Sequence, residues 1–264
     1  MAQPRVDPQR HRRPDDGNPP APDPQWAWFL DLDGTLLDIA ATPRAVTVPA
    51  TLPALLQVLR RRFGGALALI SGRALADMEA LIGPPGLPAA GQHGAELRLA
   101  AGGDVAVAAR APGLTPLGRS LRALAAAHRG VIVEDKGVSL AIHYRLSPAS
   151  EPAIRALIGQ QQALLADDLE LREGKLVLDI RPRGADKGKA VDRLMQAPPF
   201  RGRRPLVIGD DATDRDGFAA ALRQGGDALQ IGPGASDLAP CWLPSPAHLR
   251  DWLGRIAATG PGDG

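Results

Sequence analysis

Trp26-Ala27-Trp28-Phe29-Leu30-Asp31-Leu32-Asp33-Gly34-Thr35 decides the fold. An apolar run of strand length ends in two carboxylates two residues apart, with a glycine directly behind them. Strand side chains alternate between faces, so Asp31 and Asp33 start out on one face, and Gly34 lets the backbone turn away. Clustered carboxylates repel unless a cation or a shared proton compensates, which makes the pair costly as mere structure. The ordinary alternative is an Asp-Gly turn after a strand. The rest of the chain separates the two.

Outward from this stretch, strand and helix patterns alternate. Residues 26–32 and 66–70 read as strands, followed by helices opening at Thr51 and spanning 75–82. The theme resumes late in the chain, with helices over 187–195, 218–222 and 247–256 and strands over 205–208 and 228–231. This order predicts an α/β fold with a parallel sheet and helices on both faces. Three of the apolar runs end in Asp31 and Asp33, in Ser71-Gly72-Arg73, and in Gly209-Asp210-Asp211. Ligands bind outside the carboxyl ends of strands in open α/β sheets, so these segments are expected to converge on one crevice.

The middle has another rhythm. Val138, Leu140, Ile142 and Tyr144 alternate with Ser139, Ala141, His143 and Arg145, the pattern of a strand with one buried and one wet face. Leu176, Leu178 and Ile180 repeat it, with Glu173 and Lys175 on the opposite parity; helices are expected over 116–128 and 152–165. The expected organisation is a core of residues 24–111 and 181–264 interrupted by a small α+β domain at 112–180, its antiparallel sheet covered on one face by helices. Residues 1–23 carry six prolines and no apolar periodicity, so they read as a disordered tail.

Composition narrows the functional classes. Of 264 residues 44% are hydrophobic and 23% charged, ordinary for a globular protein. A formal charge of +2 with no basic stripe argues against nucleic acid. No apolar stretch approaches a membrane span, and the lone Cys241 excludes an intramolecular disulfide and a thiolate zinc cluster, so the expected setting is a reducing cytoplasm and no membrane. Oligomeric state is not legible, with a monomer as the default. Among 31 basic side chains only Lys136, Lys175, Lys187 and Lys189 are lysine. A lysine kept in so arginine-rich a chain marks a position suited to a compact point charge.

An aspartate attacking phosphorus forms an acyl phosphate and divides hydrolysis into two easier steps. Phosphate and nucleophile are both anions, so a divalent cation must bridge them. Mg²⁺ takes oxygen ligands and needs only one or two carboxylates beside the phosphate. The expected metal contacts are Asp31, Asp210 and the backbone carbonyl of Asp33, supported by Asp211 or Asp214. Helix capping is the ordinary reading of Asp210, Asp211 and Asp214. Asp33 is assigned proton transfer to the leaving oxygen and from the attacking water, Ser71 a hydrogen bond to a phosphate oxygen, and Lys187 charge stabilisation.

Asp31 to Thr35, Ser71, Lys187 and Gly209-Asp210-Asp211 resemble, in order, the four motifs of the haloacid dehalogenase superfamily of Mg²⁺-dependent phosphatases. More restrictive segments are Ile70-Ser71-Gly72-Arg73, Gly91-Gln92-His93-Gly94-Ala95-Glu96, Glu134-Asp135-Lys136-Gly137, His143-Tyr144-Arg145, Glu173-Gly174-Lys175 and Arg181-Pro182-Arg183-Gly184. Together they are similar to the trehalose-6-phosphate phosphatases, over about residues 26 to 255. The resemblance implies a Rossmann-like core with a C2-type cap, hydrolysis of a small-molecule sugar phosphate, trehalose 6-phosphate, and Mg²⁺ as cofactor. It also implies sugar contacts by His93, Glu134, Lys136, His143, Arg145, Glu173 and Lys175, with Arg73 and Arg183 in their motifs as further substrate contacts. Glu134 and Lys136, His143 and Arg145, and Glu173 and Lys175 each share one parity, which lets three strands present polar side chains on one cap face. One departure stands out: the fourth motif continues Thr213-Asp214-Arg215 where the family has an acid after the aspartate. Alternative readings are a phosphatase for sucrose or mannosyl-glycerate phosphate, and a phospho-accepting regulatory protein.

Overall fold

Every side chain of strand β1 (Trp26–Leu30) is buried, because the strand lies at the centre of a sheet covered on both faces. The computed structural model describes residues 19–83, 86–165 and 167–259; most of the expected tail, residues 1–18, lies outside them. After β1 come α1 (Leu52–Arg62), β2 (Leu67–Ile70), α2 (Leu75–Ile82), β3 (Ala89–Gly91), β4 (Glu96–Arg98) and β5 (Ala106–Val107). An inserted unit follows: α3 (Leu114–Ala127), β6 (Ile132–Asp135), β7 (Leu140–His143), α4 (Glu151–Gln160), β8 (Leu169–Gly174) and β9 (Val177–Pro182). The chain returns through α5 (Lys187–Met195), β10 (Arg204–Gly209), α6 (Arg215–Arg223), β11 (Asp227–Ile231), β12 (Cys241–Leu243) and α7 (Pro246–Ala258).

The large sheet has the order β12-β11-β10-β1-β2-β3-β4-β5. From β12 to β3 all pairings are parallel, whereas β4 and β5 add antiparallel at one edge. Parity along β1 sorts the two cores. Trp26, Trp28 and Leu30 pack with α1, α2 and α7, while Ala27 and Phe29 pack with α5 and α6. Trp28 carries the first face, with Trp26, Phe63 and Trp252 at ring-centroid distances of 5.4, 4.7 and 5.6 Å. Phe29 stacks on Phe200 across the second, at 5.4 Å. Each such fully buried side chain contributes about 1.5–3 kcal/mol, so the central strand is rigidly held. The chain leaves β1 toward β2 on one side and returns as β10 on the other, which puts the topological switch point at the ends of β1 and β10.

The insertion forms its own antiparallel sheet, β6-β7-β9-β8, with α3 and α4 packed on one face around Leu140, Ile142, Leu178 and Ile180. Strand β9 runs to Pro182 and so straddles the boundary expected at 180–181. Register assigns the other face. Ala141 pairs with Asp179, His143 with Val177, and Glu134 with Ala141, so Glu134, His143 and Asp179 point away from the helices. Strand β8 joins β9 through only two residues, Lys175 and Leu176, which brings the hairpin tip onto the switch point of the large sheet.

Candidate active site

Asp31 emerges from β1 on the α5 side of the sheet and meets Lys187, the first residue of α5. Lys187 Nζ lies 3.0 Å from Asp31 and 2.6 Å from Asp214, with all three side chains buried. Thr35 donates its hydroxyl to both Asp31 (3.4 Å) and Asp210 (3.3 Å). Carboxylate oxygens of Asp31, Asp210 and Asp214 approach within 4.8 Å of one another. Asp214 also accepts the backbone N–H groups of Asp210 and Asp211, and Asp211 caps the turn by accepting from Thr213. Capping is thus the role of Asp211 and part of the role of Asp214, while the Asp210 carboxylate remains in the cluster.

The electrostatics of this cluster favour a bound cation. Burial pushes Asp31 well above the usual carboxylate range despite the pull of Lys187, with Asp214 and Asp210 adding repulsion. Burial likewise raises Asp210 to about 6 against the pull of Lys175, and raises Asp214. Against the cost of its own burial, Asp214 and Asp31 hold Lys187 protonated, above its usual range. The donors are all hard oxygens, and a divalent cation is the charge that relieves their repulsion. The residues present therefore fit such a group.

Gly34 is a backbone requirement of this geometry. Its φ is +83°, and a Cβ there would lie 2.3 Å from Asp210 Oδ2. Gly34→Ala is expected to cost about 1–3 kcal/mol in urea unfolding and to depress phosphatase activity by displacing Asp210. Unchanged stability would show that the turn tolerates a side chain.

Asp33 stands apart from the carboxylate cluster. Arg73 grips it bidentately, Nε to Oδ2 at 2.6 Å and Nη2 to Oδ1 at 2.8 Å, and also donates to the Pro43 carbonyl at 3.1 Å. Asp33 and Arg73 line one cleft with Asp31, Ser71, His93, Glu134, Lys136, His143, Arg145, Lys175, Asp179 and Lys187. Within it His143 bonds Glu134 at 2.9 Å, Lys136 donates to the Gly72 carbonyl at 2.8 Å, and Arg145 donates to the Lys175 carbonyl at 2.7 Å. Three of the four lysines line this cleft, whereas Lys189 is largely exposed.

Two expected site residues lie elsewhere. Glu173 pairs across the sheet with Leu178, on the helix-covered face, and its exposed carboxylate binds Arg155 of α4 at 2.7 Å. The shared parity expected for Glu173 and Lys175 fails because β8 ends at Gly174 and the two-residue turn re-aims Lys175. Arg183, just past β9, donates to the carbonyls of Asp167 and Leu169, at the other end of the strand from the cleft. Arg215 also turns away: it forms an exposed pair with Asp237 at 2.7 and 2.8 Å, so charge reversal in the fourth motif does not reach the carboxylate cluster.

Sequence reasoning passed over Asp179. This buried carboxylate lies 3.7 Å from Lys136 and 3.9 Å from His93. Its signal was its parity, opposite to Leu178 and Ile180 in a strand whose apolar face packs on helices. Gln92 was also missed: it accepts from Ser139 at 2.5 Å and donates to the Lys136 carbonyl and to Glu96, each at 2.7 Å, tying core to insertion. His93, at φ +57°, packs so closely that a Cβ on Gly72 would lie 2.6 Å from its Nε2. Burial and the nearby cations, Lys187 first, hold its imidazole neutral.

The family described as trehalose-phosphatase matches residues 29–237. The chain is 45% identical over 208 residues to a probable trehalose-phosphate phosphatase of Sinorhizobium fredii, covering 79% of this chain and 78% of that protein. It is 41% identical over 212 residues to the trehalose-6-phosphate phosphatase of Escherichia coli, covering 80% and 79% respectively. Among solved structures, the C-terminal domain of Candida albicans trehalose-6-phosphate phosphatase shares the fold, with a TM-score of 0.77 at 22% identity over 90% of this chain and 93% of that one. The α/β core with an inserted α+β cap is the architecture implied by the haloacid dehalogenase resemblance. A match that begins within β1 and runs past the fourth motif, shared with relatives at 41–45% identity, makes this chain a member of the trehalose-phosphatase family.

Proposed function

We propose that the chain hydrolyses trehalose 6-phosphate to trehalose and phosphate, with Mg²⁺ bound among Asp31, Asp210 and Asp214 and contacted by the Asp33 carbonyl. The observation that carries this reading is the placement of Asp31, Ser71 and Lys187 in the same cleft as Glu134, Lys136, His143, Arg145 and Asp179 of the cap. The first set suits a phosphoryl group. The second mixes donors and acceptors, as sugar hydroxyls require.

When held there, Mg²⁺ would neutralise charge between the Asp31 carboxylate and the phosphate. An oxygen of Asp31 attacks phosphorus while the bond to the sugar oxygen breaks, and Asp33 gives that oxygen its proton. Water then attacks the phosphorus of the acyl phosphate and passes a proton to Asp33, which restores the Asp31 carboxylate. Both Asp33 oxygens accept from Arg73 in the resting site, so Asp33 takes a proton from solvent as it exchanges Arg73 for the leaving oxygen, and returns one to solvent when the ion pair re-forms after turnover. Lys187 keeps its charge beside the attacking oxygen throughout, and Ser71 donates to a phosphoryl oxygen.

Phosphate release from a panel of sugar phosphates with Mg²⁺ tests the substrate. Trehalose 6-phosphate should be preferred; a preference for sucrose or mannosyl-glycerate phosphate would replace it, and a long-lived phospho-Asp31 without turnover would indicate a regulatory protein. Lys136→Ala should lower kcat/KM for trehalose 6-phosphate by roughly 10–100-fold, as expected for a lost charged hydrogen bond, with hydrolysis of an aryl phosphate much less affected. Glu173→Ala should leave both substrates nearly unchanged, because its carboxylate points to Arg155 outside the cleft. Equal losses on both substrates for Lys136→Ala would put that lysine in cap docking instead.

A further inference from the structure

Lys175 sits against a carboxylate of the acidic cluster formed by Asp31, Asp210 and Asp214. Its ammonium lies 2.5 Å from Asp210 Oδ2 and 3.2 Å from the Asp210 carbonyl. Half of its side chain is exposed, so Asp210 is its anchor in the core. The tip that carries it is held in an unusual backbone: Leu176 has φ +61°, a conformation for which glycine or asparagine is the ordinary choice. Bulky residues persist there only when surrounding contacts over-determine them. Two such contacts are visible, Arg145 donating to the Lys175 carbonyl and the Tyr144 N–H donating to the Leu176 carbonyl at 3.1 Å.

We propose that Lys175 is a tethered cation that competes with the divalent metal for Asp210, so that docking of the β8–β9 tip on the core and metal binding oppose each other. The inference rests on the reading of Asp31, Asp210 and Asp214 as the metal site. A single carboxylate oxygen does not serve an ammonium at 2.5 Å and a divalent cation at full strength together; whichever binds must loosen the other. Coupling of this kind is reciprocal: Lys175 weakens metal binding, and metal loosens the tip. The released ammonium stays in the cleft, beside the position of an anionic substrate.

The test uses the whole enzyme without substrate, titrated with Mg²⁺ by calorimetry, with hydrogen exchange followed over residues 172–179. Lys175→Met should bind Mg²⁺ roughly tenfold more tightly than the wild type, within the range of ordinary coupling between sites. Mg²⁺ should speed exchange at the tip of the wild type and have little effect on the variant, whose tip is already released. Equal or weaker Mg²⁺ affinity in Lys175→Met, or a wild-type tip that Mg²⁺ slows, overturns the proposal. Asp210→Asn separates the two readings: if it leaves Mg²⁺ affinity unchanged, the metal site itself is misplaced, whereas lost affinity with no Lys175 effect removes only the competition.

Discussion

Asp31→Asn is expected to lower kcat for trehalose 6-phosphate by roughly 10⁴-fold or more, since loss of a covalent nucleophile removes the whole two-step route. The amide is close in size, its oxygen can still accept from Thr35 and Lys187, and Asp214 remains to compensate the Lys187 ammonium, so folding should survive. The substitution therefore separates chemistry from architecture. Steady-state phosphate release, with an unfolding curve on the same preparation, checks it. Near-normal turnover in a well-folded variant would rule out Asp31 as the attacking group.

Lys187→Met should carry the largest stability penalty of any single change in the cleft. Its ammonium is buried between Asp31 and Asp214 at 3.0 and 2.6 Å, and removing one partner of a buried ionic group costs about 3–5 kcal/mol because the other charges remain uncompensated. Urea unfolding in a chelator measures the loss. Adding Asp214→Asn to Lys187→Met should recover part of it, since the double variant no longer buries the second carboxylate without a partner. Activity should fall as well, because the positive charge beside the attacking oxygen is gone. A penalty under about 1 kcal/mol would mean that water or protons already compensate these carboxylates.

Much of the site was legible because its residues sit at the ends of apolar runs. Asp31 follows β1 and Asp210 follows β10, and the alternating order of strands and helices brings such ends together. The rarity of lysine was informative in the same way, since Lys136, Lys175 and Lys187 all reach the cleft. What misled was parity carried through a turn. Glu173 and Lys175 are two residues apart, yet a strand end lies between them, so one faces Arg155 and the other Asp210. Arg215 misled by proximity in sequence: one residue beyond Asp214, it begins a helix that carries it to Asp237 at the surface.

The sequence alone determined the α/β core, the interruption by an α+β unit, and the placement of two carboxylates just past the first strand, all of which follow from local periodicity and short spacings. Only the tertiary structure decided that Arg73 holds Asp33, that Asp179 rather than Glu173 faces the cleft, and that Lys175 reaches Asp210. The reason is physical: side-chain period sets which face a residue occupies within one strand, whereas partners far apart in the chain are chosen by register, turn geometry and the docking of one sheet on another.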